Sequence, residues 1–148
     1  MRIVCAVDGS EYAQWGVQAL QSLAGREPEY VVLLHVVDPS SLQANKRKNP
    51  VAANRALAAL DKAGKFLLRE AERSARVALS QAGTGPRTQF QTVLAHGPMS
   101  KTIAKQAKRL KADLILMGSR GLSDIKGFLL GSTSRQVAAV APCSLLVV

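Results

Sequence analysis

Asp113-Leu114-Ile115-Leu116-Met117-Gly118-Ser119-Arg120-Gly121, completed further on by Gly131-Ser132-Thr133-Ser134, is the stretch on which the reading of this chain turns. The apolar run Leu114 to Leu116 is short, bounded by Asp113 and Gly118, and reads as a buried strand ending at Gly118. Beyond Gly131 the apolar positions Val137, Val140 and Ala141 recur at helical spacing, with Ser132, Thr133 or Ser134 available as N-cap. Strand, glycine-rich loop and helix in that order put main-chain N–H groups and the positive end of a helix dipole at the carboxyl edge of a sheet, where an anion is stabilised. Glycine without a Cβ can take φ > 0 and lets a ligand approach the main chain. The alternative is that Gly118, Gly121, Gly127 and Gly131 only make turns. The loop is not a Walker A loop, since no Gly is followed by Lys-Ser or Lys-Thr, and it lacks the Gly-x-Gly-x-x-Gly dinucleotide spacing.

Outward from this stretch, strands and helices alternate. Residues 2 to 7 read as a fully buried strand, and Asp8-Gly9-Ser10-Glu11 as a turn that can cap the next helix. Trp15, Ala19, Leu20 and Leu23 carry that helix, stopped by Gly25 and Pro28. Tyr30 to Val37 is apolar almost throughout, which predicts a strand covered on both faces and so a parallel sheet. From Asp38 to Pro50 the apolar pattern is lost, and a mobile loop able to act as a lid is expected. Residues 51 to about 82 predict a long amphipathic helix, with Leu57, Leu60, Phe66 and Leu67 on its apolar side and Gly64 as its weak point. Gly83-Thr84-Gly85-Pro86 ends it. A polar strand from about Thr88 to Leu94 is expected at a sheet edge, and His96-Gly97-Pro98 makes the turn after it. Ser100 is then a candidate cap for a helix marked by Ile103, Ala104, Ala107 and Leu110. With a final strand over Ser144 to Val148, the order is βαβαβαβαβ, an α/β fold of one domain over residues 1–148. In such sheets ligands bind beyond the carboxyl ends of the strands where the strand order reverses, and Asp8, Val37 and Gly118 all fall at such ends.

Bulk properties narrow the function. The chain has 47% apolar and 20% charged residues, and no apolar run approaches the length of a membrane span. The start, Met1-Arg2-Ile3-Val4, enters a strand directly without a signal-peptide pattern, so a cytoplasmic location is expected. Cys5 and Cys143 sit in apolar runs and read as small buried hydrophobes; with two isolated His they offer no metal-ligand spacing, and a disulfide is not expected. A net charge of +10 gathers partly into stripes, Lys101, Lys105 and Lys108 on one helix and Arg69, Arg73 and Arg76 on another. These are either solvated helix faces or a surface for nucleic acid, anionic membrane or an acidic partner. Aromatics are 4% of residues and none interleaves with the lysines, which favours solvated faces over a specific nucleic-acid site.

The spacing Gly118-x2-Gly121-x9-Gly131-Ser132 resembles the signature of the universal stress protein family, in its ATP-binding branch. The likeness extends to Ile3-Val4-Cys5-Ala6-Val7-Asp8-Gly9-Ser10, to His35-Val36-Val37, and to Ala141-Pro142-Cys143-Ser144-Leu145-Leu146-Val147-Val148. The resemblance implies a five-stranded parallel sheet of order 3-2-1-4-5 with helices on both faces, Rossmann-like and similar to the adenine nucleotide alpha hydrolases. It also implies an adenine-nucleotide-binding regulatory protein of the stress response, taking ATP or AMP together with Mg²⁺. By the same resemblance, Asp8 lies near ribose and adenine, Val37 gives main-chain bonds to the adenine edge, and Met117 lines the adenine pocket. Gly118, Arg120, Gly121, Gly131, Ser132 and Thr133 then hold phosphates. Asp8 can accept from ribose hydroxyls, meet a nucleotide-bound Mg²⁺, or only cap the helix after Gly9; Arg120 is either a phosphate ligand or an exposed arginine.

Catalysis has little support. Ser10, His35 and His96 lack a Gly-x-Ser-x-Gly elbow, and for ATP hydrolysis only Arg120, Asp8 and Lys126 stand out, so at most slow hydrolysis on the same site is expected. The closing run Cys143 to Val148 is an apolar edge with no charge to protect it, which predicts a homodimer joined through the last strand, as the resembled family forms.

Overall fold

Five strands, β1 (Arg2–Ala6), β2 (Tyr30–Val37), β3 (Gln89–His96), β4 (Leu114–Met117) and β5 (Ser144–Val147), form one parallel sheet in the order β3-β2-β1-β4-β5. This computed structural model describes residues 1–23, 28–40, 42, 48–83, 87–122 and 130–148. The expected strand order is therefore the observed one. Gly25, Thr84 to Pro86, Lys126 and Gly127 lie outside the described residues, as do residues 41 and 43–47 of the expected loop over 38–50; where that stretch is described, Ser40, Leu42 and Lys48 have helical backbone.

The alternation of side chains along each strand sorts the core into two layers. Ile3, Cys5, Val31, Leu33 and Leu116 pack under α1 (Glu11–Ala19) and α2 (Pro50–Gln81). Val4, Ala6, Val32, Leu34 and Ile115 face the other way, toward α3 (Met99–Arg109) and α4 (Ser132–Val140). Strands buried on both faces need apolar residues at every position, and that is why β1, β2 and β4 are apolar runs. β3 is the polar edge strand that its sequence predicts, but it runs on to His96, so His96 is a strand residue paired with Val37 and not part of the turn.

The helix starts differ from expectation in an instructive way. Ser10 caps α1, its hydroxyl accepting from Ala13 N–H at 3.1 Å, and a 3₁₀ turn over Leu20–Leu23 ends that segment. Ser100 does not cap α3: Pro98 holds that position, and the Ser100 hydroxyl donates instead to Gln136 Oε1 at 3.1 Å. At α4 the N-cap is Gly131, with no side-chain cap bond, so Ser132, Thr133 and Ser134 all lie inside the helix. α2 runs unbroken through Gly64, whose missing Cβ would fall 2.8 Å from both His35 Cδ2 and Leu94 Cδ1. Gly64 is thus the point of closest packing on the sheet and not a weak point. Trp15, Leu60 and Phe66, expected on apolar faces, are exposed, and Leu68, Ala75 and Leu79 carry the buried face of α2.

Cys5 is fully buried in β1, where loss of solvation pushes its thiol up to about 12. Cys143 is half-buried just before β5 and free, its thiol raised by desolvation and by the charge of Asp113. Cys5 is the small hydrophobe that its sequence context predicts.

Candidate functional site

Order reversal at the centre of the sheet fixes where a ligand can sit. After β1 the chain turns toward β2, and after β4 toward β5, so the two connections diverge and leave the carboxyl edge open between β1 and β4. A cleft lies there, walled by Ala6, Leu34, Val36 and Met117 below and by Asp8, Arg120, Gly121 and Thr133 around the rim. Its enclosed part is about 60 Å³, room for the edge of a ring system but not for a whole nucleotide.

The turn after β1 is organised by Asp8. One carboxylate oxygen accepts from the Ser10 N–H at 2.9 Å and the Ser10 hydroxyl at 2.6 Å, and the other accepts from Leu122 N–H at 3.2 Å. A single side chain thereby ties the turn that starts α1 to the loop that leaves β4. A carboxylate offers about four acceptor directions, and among the described residues these donors take at least three of those on Asp8. Asp8 both supports the capping turn and stands on the cleft, so the two readings of it are not exclusive.

Close packing explains the glycines after β4. Neither Gly118 nor Gly121 has positive φ, and Gly131 has φ −66°. A Cβ on Gly118 would fall 2.6 Å from the Tyr12 carbonyl carbon and 2.8 Å from Ala13 N, so only glycine lets the end of β4 pass under the start of α1. At Gly121 a Cβ would come 2.8 Å from the Asp8 carboxylate. The expectation that these residues serve left-handed backbone is corrected: they are there for approach.

Ser119, which its sequence context does not mark, holds the loop together through its main chain. Its N–H donates to Val148 O at 2.6 Å, and its carbonyl accepts from Gly131 N–H at 2.7 Å and from the Ser134 hydroxyl at 3.0 Å. Val148 N–H in turn donates to Met117 O at 3.0 Å. The end of β5, the end of β4 and the start of α4 are therefore one hydrogen-bonded unit. No side-chain signal could have revealed Ser119, since its bonds are main-chain.

One consequence concerns the helix start. Gly131 N–H is already used, so the donors that α4 offers to an anion begin at Ser132 and include Thr133, whose side chain lines the cleft. Arg120 is not a lone exposed arginine: its Nη1 donates to the Tyr12 hydroxyl at 3.1 Å, and its guanidinium lies 5.5 Å from the Tyr12 ring centre. That partner holds it at the rim.

Of the residues singled out in the sequence, Asp8, Met117, Gly118, Arg120, Gly121 and Thr133 come together around the cleft. Gly131 and Ser132 sit at the helix start without lining it, and Val37 stands just outside, its carbonyl accepting from Gly97 N–H at 3.0 Å while Val36 forms the wall. Met99 and Ile103 on α3, with Ser134 on α4, also line it; in the sequence Ile103 reads only as helix core spacing and Met99 carries no signal. No cluster of three or more His, Cys, Asp or Glu able to hold a metal occurs among the described residues.

Compared with known proteins, the chain matches the profile of the universal stress protein family over residues 1–148. The chain belongs to the universal stress protein family. A Staphylococcus aureus (strain USA300) protein described as a universal stress protein is 27% identical over 147 residues, spanning 99% of this chain and 82% of that one. The solved structure of the hypothetical protein MJ0577 superimposes with a TM-score of 0.78 at 25% identity, over 99% of this chain and 94% of that one. A universal stress protein crystallised in complex with cAMP superimposes with a TM-score of 0.67, also at 25% identity, over 100% and 95% of the two chains. Among the described residues, no helix of this universal stress protein is long and apolar enough to cross a membrane.

Proposed function

We propose that this chain is a regulatory protein of the stress response that binds an adenine nucleotide, ATP or AMP, in the cleft between β1 and β4. The observation that carries the reading is the meeting, at one point of the sheet edge, of an apolar slot with the first turn of α4, from which Thr133 and Ser134 line the slot. A relative of the same fold holding cAMP supports the ligand class.

In this reading the adenine edge enters between Met117 and Val36, with the main chain at Val37 at its far end. Asp8, which stands on the cleft, accepts from the ribose. The phosphates lie over Gly118 and Gly121 against Ser132 and Thr133, with Arg120 swinging from Tyr12 to pair with them. Mg²⁺ fits only as a companion of the nucleotide: among the described residues lining the cleft Asp8 offers the one carboxylate, and Mg²⁺ commonly takes one or two carboxylates plus phosphates and waters. Mass spectrometry of small molecules released from freshly purified protein is expected to return an adenine nucleotide. Release of a ligand without an adenine ring would sink the reading.

The chain is proposed to act as a homodimer through the outer edge of β5, an apolar edge strand without a charged side chain from Ser144 to Val147. Val147→Lys should move it toward monomer in sedimentation. A monomeric wild type at tens of micromolar, on the order of ordinary assay concentrations, would contradict this.

A further inference from the structure

The other edge of the sheet is built differently. Gln89 N–H donates to Glu29 O and Gly97 N–H to Val37 O, both at 3.0 Å, so the odd-numbered residues of β3 turn their main-chain groups toward β2. By the alternation of a strand, Phe90, Thr92, Leu94 and His96 turn theirs outward, and among the described residues no strand pairs with that side. Beside the carboxyl half of this edge runs an open groove of about 570 Å³, floored by Leu94 and His96 and walled by Lys101, Thr102 and Lys105 of α3.

Charge separates this groove from the basic stripe on α2. There Arg76 pairs with Glu72 at 2.6 Å and Arg73 with Glu70 at 3.5 Å, so two of the three stripe arginines are partnered. Lys101, Lys105 and Lys108 are exposed and make no ion pair among the described residues, while the nearby carboxylate of Asp61 is taken by His96 Nε2 at 2.7 Å. The groove therefore joins a row of unpaired main-chain groups to uncompensated positive charge.

We propose that the outer edge of β3 and the first turns of α3 dock an extended acidic peptide of a partner protein, which adds to the sheet as a sixth strand. Main-chain bonds to Thr92 and Leu94 set its register, and carboxylates at alternate positions on the α3 side reach Lys101 and Lys105. A second copy of this chain is disfavoured, because edge-to-edge pairing would bring the two lysine rows together. Nucleic acid is disfavoured because no Phe, Tyr or Trp lines the groove among the described residues, and His96, the one aromatic ring there, is held by Asp61.

The test uses the full chain and a fluorescein-labelled octapeptide of alternating Glu and Val, followed by anisotropy and by amide hydrogen exchange. Saturable binding is expected, with exchange slowed at Thr92 and Leu94. Affinity should fall at least about tenfold in Lys101→Glu/Lys105→Glu, which changes only exposed side chains. It should fall similarly in Thr92→Pro, which removes one outward N–H and leaves the ladder to β2 intact, a change that edge strands tolerate. If Thr92→Pro does not fold by circular dichroism, the exchange data and the lysine variant decide. Absence of saturation up to about 1 mM peptide, binding without slowed exchange in β3, or tighter lysine-dependent binding of octathymidylate would each overturn the proposal.

Discussion

Between β1 and β4 the outgoing connections diverge; between β2 and β3 they converge, because the chain leaves β2 toward β3 and leaves β3 back across β2 to reach β4. The converging pair closes the α2 face of its half of the sheet. Gly64 of α2 settles onto His35 and Leu94, His35 Nδ1 donates to Val7 O at 2.7 Å, and His96 Nε2 bonds Asp61 at 2.7 Å. The diverging pair leaves a slot whose rim is tied by Asp8 and Ser119 and whose floor is apolar. Strand ends of similar composition thus give a sealed corner in one place and a ligand cleft in the other. Topology makes the difference, and the glycines serve it by letting backbones pass.

The largest effect that can break this comparison is expected at Gly118. In Gly118→Ala the new Cβ meets backbone atoms of Tyr12 and Ala13, which cannot move without shifting the start of α1. Destabilisation of about 3 kcal/mol in urea unfolding, the upper part of the range for overpacking, is expected together with loss of nucleotide binding. A cost under about 1 kcal/mol would mean that the divergent end is looser than described.

In the sealed corner, Gly64→Ala should cost less. The nearest atoms its Cβ meets are side-chain ones: Leu94 can turn aside, His35 can tilt about its bond to Val7 O, and alanine restores about 1 kcal/mol of helix propensity. A net change within about 1 kcal/mol, with nucleotide affinity unchanged, is expected in the same unfolding and titration experiments. A larger loss than in Gly118→Ala would reverse the comparison.

His96→Ala should matter least. It removes a hydrogen bond between partly exposed groups, of the kind that contributes about 0.5 kcal/mol. The midpoint of thermal unfolding should move by only a degree or two for a chain of about this size, and no change in nucleotide affinity should follow.

Much of the fold could be read in the residues because burial on both faces leaves a plain record. β4 is an unbroken apolar run, β1 is apolar after Arg2 and β2 is interrupted only by His35, and the glycine spacing after β4 marks the point where the sheet reverses. The end of β3 was less legible: Ala95 and His96 continue the strand, yet a histidine before Gly97-Pro98 looks like a turn. Caps were misread where a hydroxyl near a helix start found another acceptor, as Ser100 found Gln136 and Ser134 found Ser119 and Gly131. In the cleft, side-chain positions such as Asp8 and Met117 were visible in the sequence. The main-chain network through Ser119 was not, because every residue carries the same N–H and C=O and only the fold decides which of them meet.

Calorimetric titration of ATP into wild type and Thr133→Glu tests the central claim most directly. A glutamate in the first turn of α4 suits the helix dipole, so the fold is retained, but it sets a negative charge on the rim where phosphates are proposed to lie. The account predicts saturable ATP binding by wild type and a loss of at least about a hundredfold, near 2.7 kcal/mol, in the variant, whose circular dichroism is unchanged. Equal ATP affinity in the two proteins would show that the phosphates do not rest on this helix start, and the proposed site would be wrong.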